Sequence, residues 1–178
     1  SDNGVIVCGY AKSNDTNESS RIYSTSNGGE SWDIVGSGPA TNIIKGVVYV
    51  SSDVGFFCYD YVEGMDSNLY KTDDGGKTFA KVMLEEQELD SSAANPQGQE
   101  TETKTDSGKN GADSSEQLRW GDVYKEALTP VVDSTGIITI YLTQGKNAVY
   151  NDGKTAAKYQ SSDKGSTWKY IGQVEIKD

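Results

Sequence analysis

The sequence predicts an all-β chain of about three four-stranded antiparallel sheets whose hairpins close on turns specified by side chains. Three observations predict it. The 178 residues hold 11 Tyr and 20 Gly against 3 Pro, a mix that suits short strands on pleated surfaces joined by tight turns. A ten-residue motif occurs three times without a gap, and strand-like apolar runs lie upstream of each copy.

The motif copies are Tyr23 to Trp32, Tyr70 to Phe79 and Tyr159 to Trp168. Each begins with Tyr and places a hydroxyl residue two positions on (Thr25, Thr72, Ser161). Asn27, Asp74 or Asp163 follows, then Gly29, Gly76 or Gly165, then Ser31, Thr78 or Thr167, and last an aromatic ring, Trp32, Phe79 or Trp168. Asp or Asn accepts hydrogen bonds from backbone N–H groups ahead of it, and Gly takes the left-handed conformation that side chains resist. The hydroxyls tie the two limbs together while Tyr and Trp/Phe anchor the flanking strands in apolar packing. Val35, Val82 and Ile171 stand three residues past the aromatic in their copies.

The three copies resemble the Asp-box, or BNR, repeat of sialidases, xyloglucan-degrading glycosidases, sortilin-type receptors and photosystem-assembly-factor-like bacterial propellers. With their flanking strands they cover over half the chain. The resemblance implies a β-propeller architecture and no particular activity, because one fold hosts many functions.

The strand-like runs are Val5 to Tyr10, Ile43 to Val50, Gly55 to Tyr61 and Ile137 to Leu142. For the second copy the order strand, strand, strand, box turn, strand describes one four-stranded propeller blade. The expected layout is a single domain over 1–178, with a first blade at 4–37 lacking its innermost strand, a second at 41–84 and a third at 118–176. Leu118 to Val132 carries the third blade's first strand, with a short helix expected at Gly121 to Leu128. Residues 85–117 hold nine Asp/Glu against two Lys and read as a polar insertion that cannot bury a sheet face. Three blades fall short of the usual four to eight, so further upstream blades or association of chains is expected to complete the ring.

The formal net charge of -11 argues against nucleic acid and anionic membrane surfaces as partners. The insertion contributes -7 of it, leaving -4 for the rest. No apolar run is long enough to cross a membrane as a helix. Two cysteines, Cys8 and Cys58, are too few for a disulfide scaffold and read as two buried small hydrophobes.

There is no His, which removes the commonest general base and a favoured metal ligand. Ser-His-Asp and Cys-His sites are thereby excluded, and two separated cysteines cannot hold zinc. No cofactor is expected; calcium at Asp60 to Asp66 or at Asn151-Asp152-Gly153 is the one metal left open. The sialidase resemblance implies three arginines on the substrate carboxylate, a Tyr/Glu pair and an acid Asp. With Arg21 and Arg119 alone this chain holds no self-contained sialidase site, and no catalytic residue is assigned.

A ligand face, if present, lies opposite the box turns, on the loops Lys12 to Ser20, Asp60 to Asn68 and Gln144 to Ala156 and on the insertion. Its candidate polar groups are Asp60, Glu63 and Asp152, with Tyr59, Tyr61 and Tyr150 as stacking platforms for a sugar or a protein. Trp120 fits no repeat position and reads equally as blade core or exposed contact. The function expected is a non-catalytic scaffold, extracellular or on a bacterial surface, that binds a protein or glycan. The alternative is a fragment of a carbohydrate-active propeller enzyme whose catalytic residues lie mostly outside this chain.

Overall fold

In the computed structural model, which describes residues 2–11, 18–89, 119–145 and 150–176, the three repeat turns are built alike. In the second, the Thr72 hydroxyl donates to Asp74 Oδ1 at 2.8 Å and accepts the Gly76 N–H at 2.8 Å, while Asp74 accepts the Thr78 N–H at 2.9 Å and the Thr78 hydroxyl at 2.6 Å. Ser161, Asp163, Gly165 and Thr167 repeat every one of these bonds. In the first, Asn27 Oδ1 accepts the Ser31 N–H at 3.0 Å and its amide donates to the Ser31 hydroxyl at 2.9 Å. The glycines at the seventh motif position, Gly29, Gly76 and Gly165, have φ of 94°, 103° and 77°, a region that only glycine enters without strain.

The turns close three antiparallel sheets. The first blade has β1 (Gly4–Ala11), β2 (Glu18–Thr25) and β3 (Asp33–Ser37). The second has β4 (Ile44–Tyr49), β5 (Gly55–Tyr59), β6 (Leu69–Thr72) and β7 (Ala80–Lys81), in that spatial order. The third follows a short helix, α1 (Trp120–Val123), and consists of β8 (Glu126–Ala127), β9 (Val131–Val132), β10 (Ile138–Thr143), β11 (Thr155–Ser161) and β12 (Lys169–Glu175). Both β8 and β9 pair with β10, so one first strand is broken in two around Pro130, which has no N–H to give a ladder. The expected helix at Gly121 to Leu128 is thus a single turn at Trp120–Val123, because Glu126 and Ala127 are already strand. The architecture is all-β, in antiparallel blades of the propeller type.

β5 explains how the blades stack. All five of its residues are buried, and alternate side chains leave opposite faces. Phe57 and Tyr59 pack with Ile22 of the first blade; Phe56 and Cys58 pack with Ile138, Ile140 and Ala127 of the third. Edge-to-face rings reinforce both sides, Phe57 on Phe79 at 4.9 Å and Phe56 on Trp168 at 6.0 Å.

Repeat positions do not share burial. Val82 is buried in the second seam while Ile171 is 45% exposed, and Trp32 is 38% exposed where Phe79 and Trp168 are packed. The two cysteines differ as well. Cys58 is buried, but Cys8 is exposed, because it points to the side of β1 that no described sheet covers. Burial pushes the Cys58 thiol up to about 11, and a thiol is inert until it ionises. Alkylation at neutral pH under dilute native conditions is expected to modify Cys8 alone, with Cys58 appearing only on unfolding; rapid native labelling of Cys58 would contradict the seam packing.

Hydroxyl and backbone N–H donors hold the Asp74 and Asp163 carboxyls far below the usual carboxylate range, the Thr78 and Thr167 hydroxyls contributing most. A carboxyl depressed by folding contributes stability that is present above its unfolded pKa, about 3.9, and is lost as pH falls below it. The melting temperature should therefore drop below about pH 4. The Asp74→Asn/Asp163→Asn variant should lose part of that pH dependence, since Asn27 shows that the amide serves the same turn without titrating. A melting temperature profile identical to the parent's between pH 5 and 2.5 would refute this.

Candidate functional site

The loop after β5, Asp60 to Asn68, expected from the sequence to belong to a ligand face, meets the start of the third blade at the second seam. Asn68 lies at its centre, 1% exposed. Its amide donates to the carbonyls of Tyr59 at 2.8 Å and Ala127 at 2.9 Å, and its Oδ1 accepts the Ala127 N–H at 2.8 Å. One side chain thus satisfies both backbone groups of a residue in the neighbouring blade. The Cys58 thiol adds a contact to the same carbonyl at 3.2 Å.

Above this tie the loops leave a cleft of about 450 Å³ lined by Tyr61, Met65, Met83, Leu84, Trp120 and Lys125, among others. Its buried apolar lining is Leu69, Val82, Trp120 and Ala127. Trp120 is buried, stacked against Tyr124 at 4.7 Å and edge-on to Tyr170 at 5.3 Å, which assigns it to blade packing. The rim carries ion pairs: Lys125 with Glu63 at 2.9 Å, Arg119 with Asp122 at 2.8 Å, and Lys81 with Asp66 at 2.6 Å. Hydrogen bonding to their partners raises Lys125 and lowers Asp122 and Asp66. All three pairs are at the surface and contribute little to stability, but they fix the charge pattern around the opening. The cleft lining also includes Glu86, whose carboxylate lies so close to Gly121 that a Cβ there would meet Oε1 at 2.5 Å.

The structure distributes the sequence-predicted residues unevenly. Tyr61 and Glu63 line the cleft. Asp60 is beside it but engaged with Lys45 at 3.1 Å. Tyr59 is fully buried, its hydroxyl 3.1 Å from Ser20 Oγ in the first seam, and Tyr150 is 1% exposed with its backbone held by Gln144. Neither ring presents a face for stacking. Asp152 is exposed on a left-handed turn, Tyr150–Gly153, with φ of 54°, apart from the cleft lining. Among the described residues no three His, Cys, Asp or Glu side chains converge to hold a metal, and no helix is long and apolar enough to cross a membrane. The insertion at 85–117 lies outside the described residues beyond position 89.

Comparison with known proteins gives little. No protein-family model matches the chain, and no curated protein does. Among solved structures it aligns with YCF48 bound to D1 peptide, at 11% identity and a TM-score of 0.28, over 87% of this chain and 64% of that one. The chain therefore spans a little under two thirds of that protein's length.

Removing the Asn68 amide should be costly, since each buried group left unpaired costs roughly 1–3 kcal/mol. Asn68→Ala is expected to lower the denaturation midpoint strongly. Asn68→Asp should do no better, because a carboxylate would face two carbonyl oxygens. Equal midpoints for Asn68→Ala and the parent in urea would show that the seam does not depend on this tie.

Proposed function

We propose that the chain is a non-catalytic binding scaffold of the Asp-box propeller type, exported by a bacterium, which holds an extended segment of a protein partner in the cleft at the second seam. The observation that carries this reading is the cleft itself: buried Leu69, Val82 and Trp120 with half-buried Tyr61 and Met65, ringed by ion-paired charges. Binding sites combine an apolar body with a few oriented polar groups. Methionine and tyrosine adapt to varied side chains with little loss of packing. Glu63, Asp66, Glu86 and Asp122 stand against Arg119 and Lys125 in the lining, so the segment that complements it is basic with an apolar anchor. The Asp-box resemblance and the polar composition support export. The absence of His and the presence of two arginines support a binding role over glycan hydrolysis.

Panning a displayed library of random peptides on the intact chain tests this. Selected peptides should be rich in Lys/Arg with one large apolar residue. They should lose roughly ten-fold in affinity on Tyr61→Ala, as truncation of an aromatic anchor does, and also on Glu86→Lys, while Asp152→Ala leaves binding unchanged. Selection of acidic peptides, or binding indifferent to both cleft variants, would overturn the proposal. Binding on a glycan array in place of peptides would favour the carbohydrate reading.

A further inference from the structure

The repeat allows each residue of the first blade to be compared with two counterparts whose surroundings are known. Ile6 of β1 pairs with Tyr23 of the first box, as Phe57 pairs with Tyr70 and Ile140 with Tyr159. Phe57 and Ile140 are fully buried against the preceding blade, whereas Ile6 is 42% exposed. The box glycines follow the same rule. A Cβ on Gly76 would lie 3.2 Å from Ile22 of the first blade and one on Gly165 would lie 2.5 Å from Phe56 of the second, but one on Gly29 would meet only Trp32 of its own turn. Trp32, 38% exposed where Phe79 and Trp168 are packed, completes the pattern, and Ile34, 63% exposed and paired with Tyr23, adds apolar surface to the same face. With Cys8 and Tyr10, these residues form an apolar sheet face laid out to receive a blade, and no described residue covers it.

The opposite end of the stack presents the matching half. Val131 pairs with Thr139 of β10 as Val48 pairs with Phe56 of β5, and Ile171 holds the place of Val35 and Val82. Val48, Val82 and Val35 each pack against the following blade. Val131 and Ile171 are instead 59% and 45% exposed, with Leu128 beside them at 45%. Thr139, Lys158 and Gln160 share this face and make it more polar than the internal seams, as suits a surface that is wet in the single chain.

Charge continues the correspondence. Asp33, the residue after Trp32, and Lys77, the residue after Gly76, line the same trough between the first and second blades. Their counterparts at the two ends are Lys169, after Trp168, and Glu30, after Gly29. The signs are exchanged, so an end-to-end contact brings a cation and a carboxylate to the two sides of one trough. We propose that this face binds a second copy of the chain head to tail, the third blade of one molecule seating on the first blade of the next with Lys169 across from Glu30. Such a contact is heterologous, and it closes into a ring where the rotation allows or extends where it does not. It does not involve the cleft at the second seam, so it stands or falls independently of peptide binding.

Light scattering of the intact chain over a wide concentration range tests the proposal, with alkylation of Cys8 as a second readout. A mass of at least twice 19.2 kDa is expected at high concentration, together with slowing of Cys8 labelling as the face is covered. Ile34→Asp and Ile171→Asp, each on an exposed side chain, should both give monomers with unchanged circular dichroism. Glu30→Lys and Lys169→Glu should each weaken association a few-fold, as expected of an exposed ion pair, and the double variant should recover it. This recovery cannot arise from misfolding. A single-chain mass throughout with concentration-independent Cys8 labelling would overturn the proposal and leave the face to a blade of a longer chain or to a foreign protein. Association that survives both Asp variants would overturn it equally.

Discussion

The structure depends on β5 having no solvent side. A five-residue strand buried on both faces must satisfy its backbone through ladders on both edges, which β4 and β6 supply, and must find apolar partners above and below. The first and third blades supply those partners. Full burial of a Phe side chain stabilises by about 1.5–3 kcal/mol relative to exposure, and Phe56 and Phe57 send theirs in opposite directions. The second blade is therefore the layer on which its neighbours are assembled, and loss of either seam would expose an aromatic row of the same strand.

The turns and the seams use different physics. The side-chain bonds that shape each turn are made within ten residues by its own hydroxyl, amide or carboxylate, with Gly28 and Gly75 donating beyond it to the carbonyls of Asp2 and Asp53. The seams are long-range and almost uncharged. Apart from the packed rings they rely on neutral hydrogen bonds, the Asn68 amide to Ala127 and the Tyr59 hydroxyl with Ser20. Placing an amide there avoids the several kcal/mol needed to desolvate an ion pair. The ion pairs sit on the loops, where they shape the rim of the cleft without carrying the fold.

The same division decides what could be read from sequence. The box turns were legible because their side-chain bonds are local and the residue types are chemically required. The three strands of the first sheet, β1 to β3, were legible from the order of apolar runs around the first box. Burial was not legible wherever it depends on which neighbour is present. Cys8 and Cys58 occur in similar apolar runs, and only the sheet beyond each side chain separates an exposed thiol from a buried one. Tyr59 and Tyr150 resembled loop-edge platforms, but the neighbouring blade and the Gln144 loop cover them. Asn68 carried no signal at all, since a polar residue before a strand ordinarily marks a turn. The helix-leaning spacing at Gly121 to Leu128 was overruled after one turn because β10 offered Glu126 and Ala127 a ladder.

Exposed apolar residues are common on any folded chain and individually mean nothing. Met83 and Val62 are 64% and 54% exposed, yet neither has repeat counterparts that are buried, so their exposure is ordinary. Ile6, Gly29 and Trp32 differ because the molecule itself shows twice what such positions contact when a blade precedes them. A repeat thus supplies an internal control that a single domain lacks. It separates a surface that is apolar by chance from one whose side chains are shaped for a partner sheet. The polar substitutions at the other end, Lys158 where Ile22 and Leu69 are buried, have the same meaning with the opposite sign. They make this end more polar than the internal seams, while the aliphatic positions Val131 and Ile171 are kept.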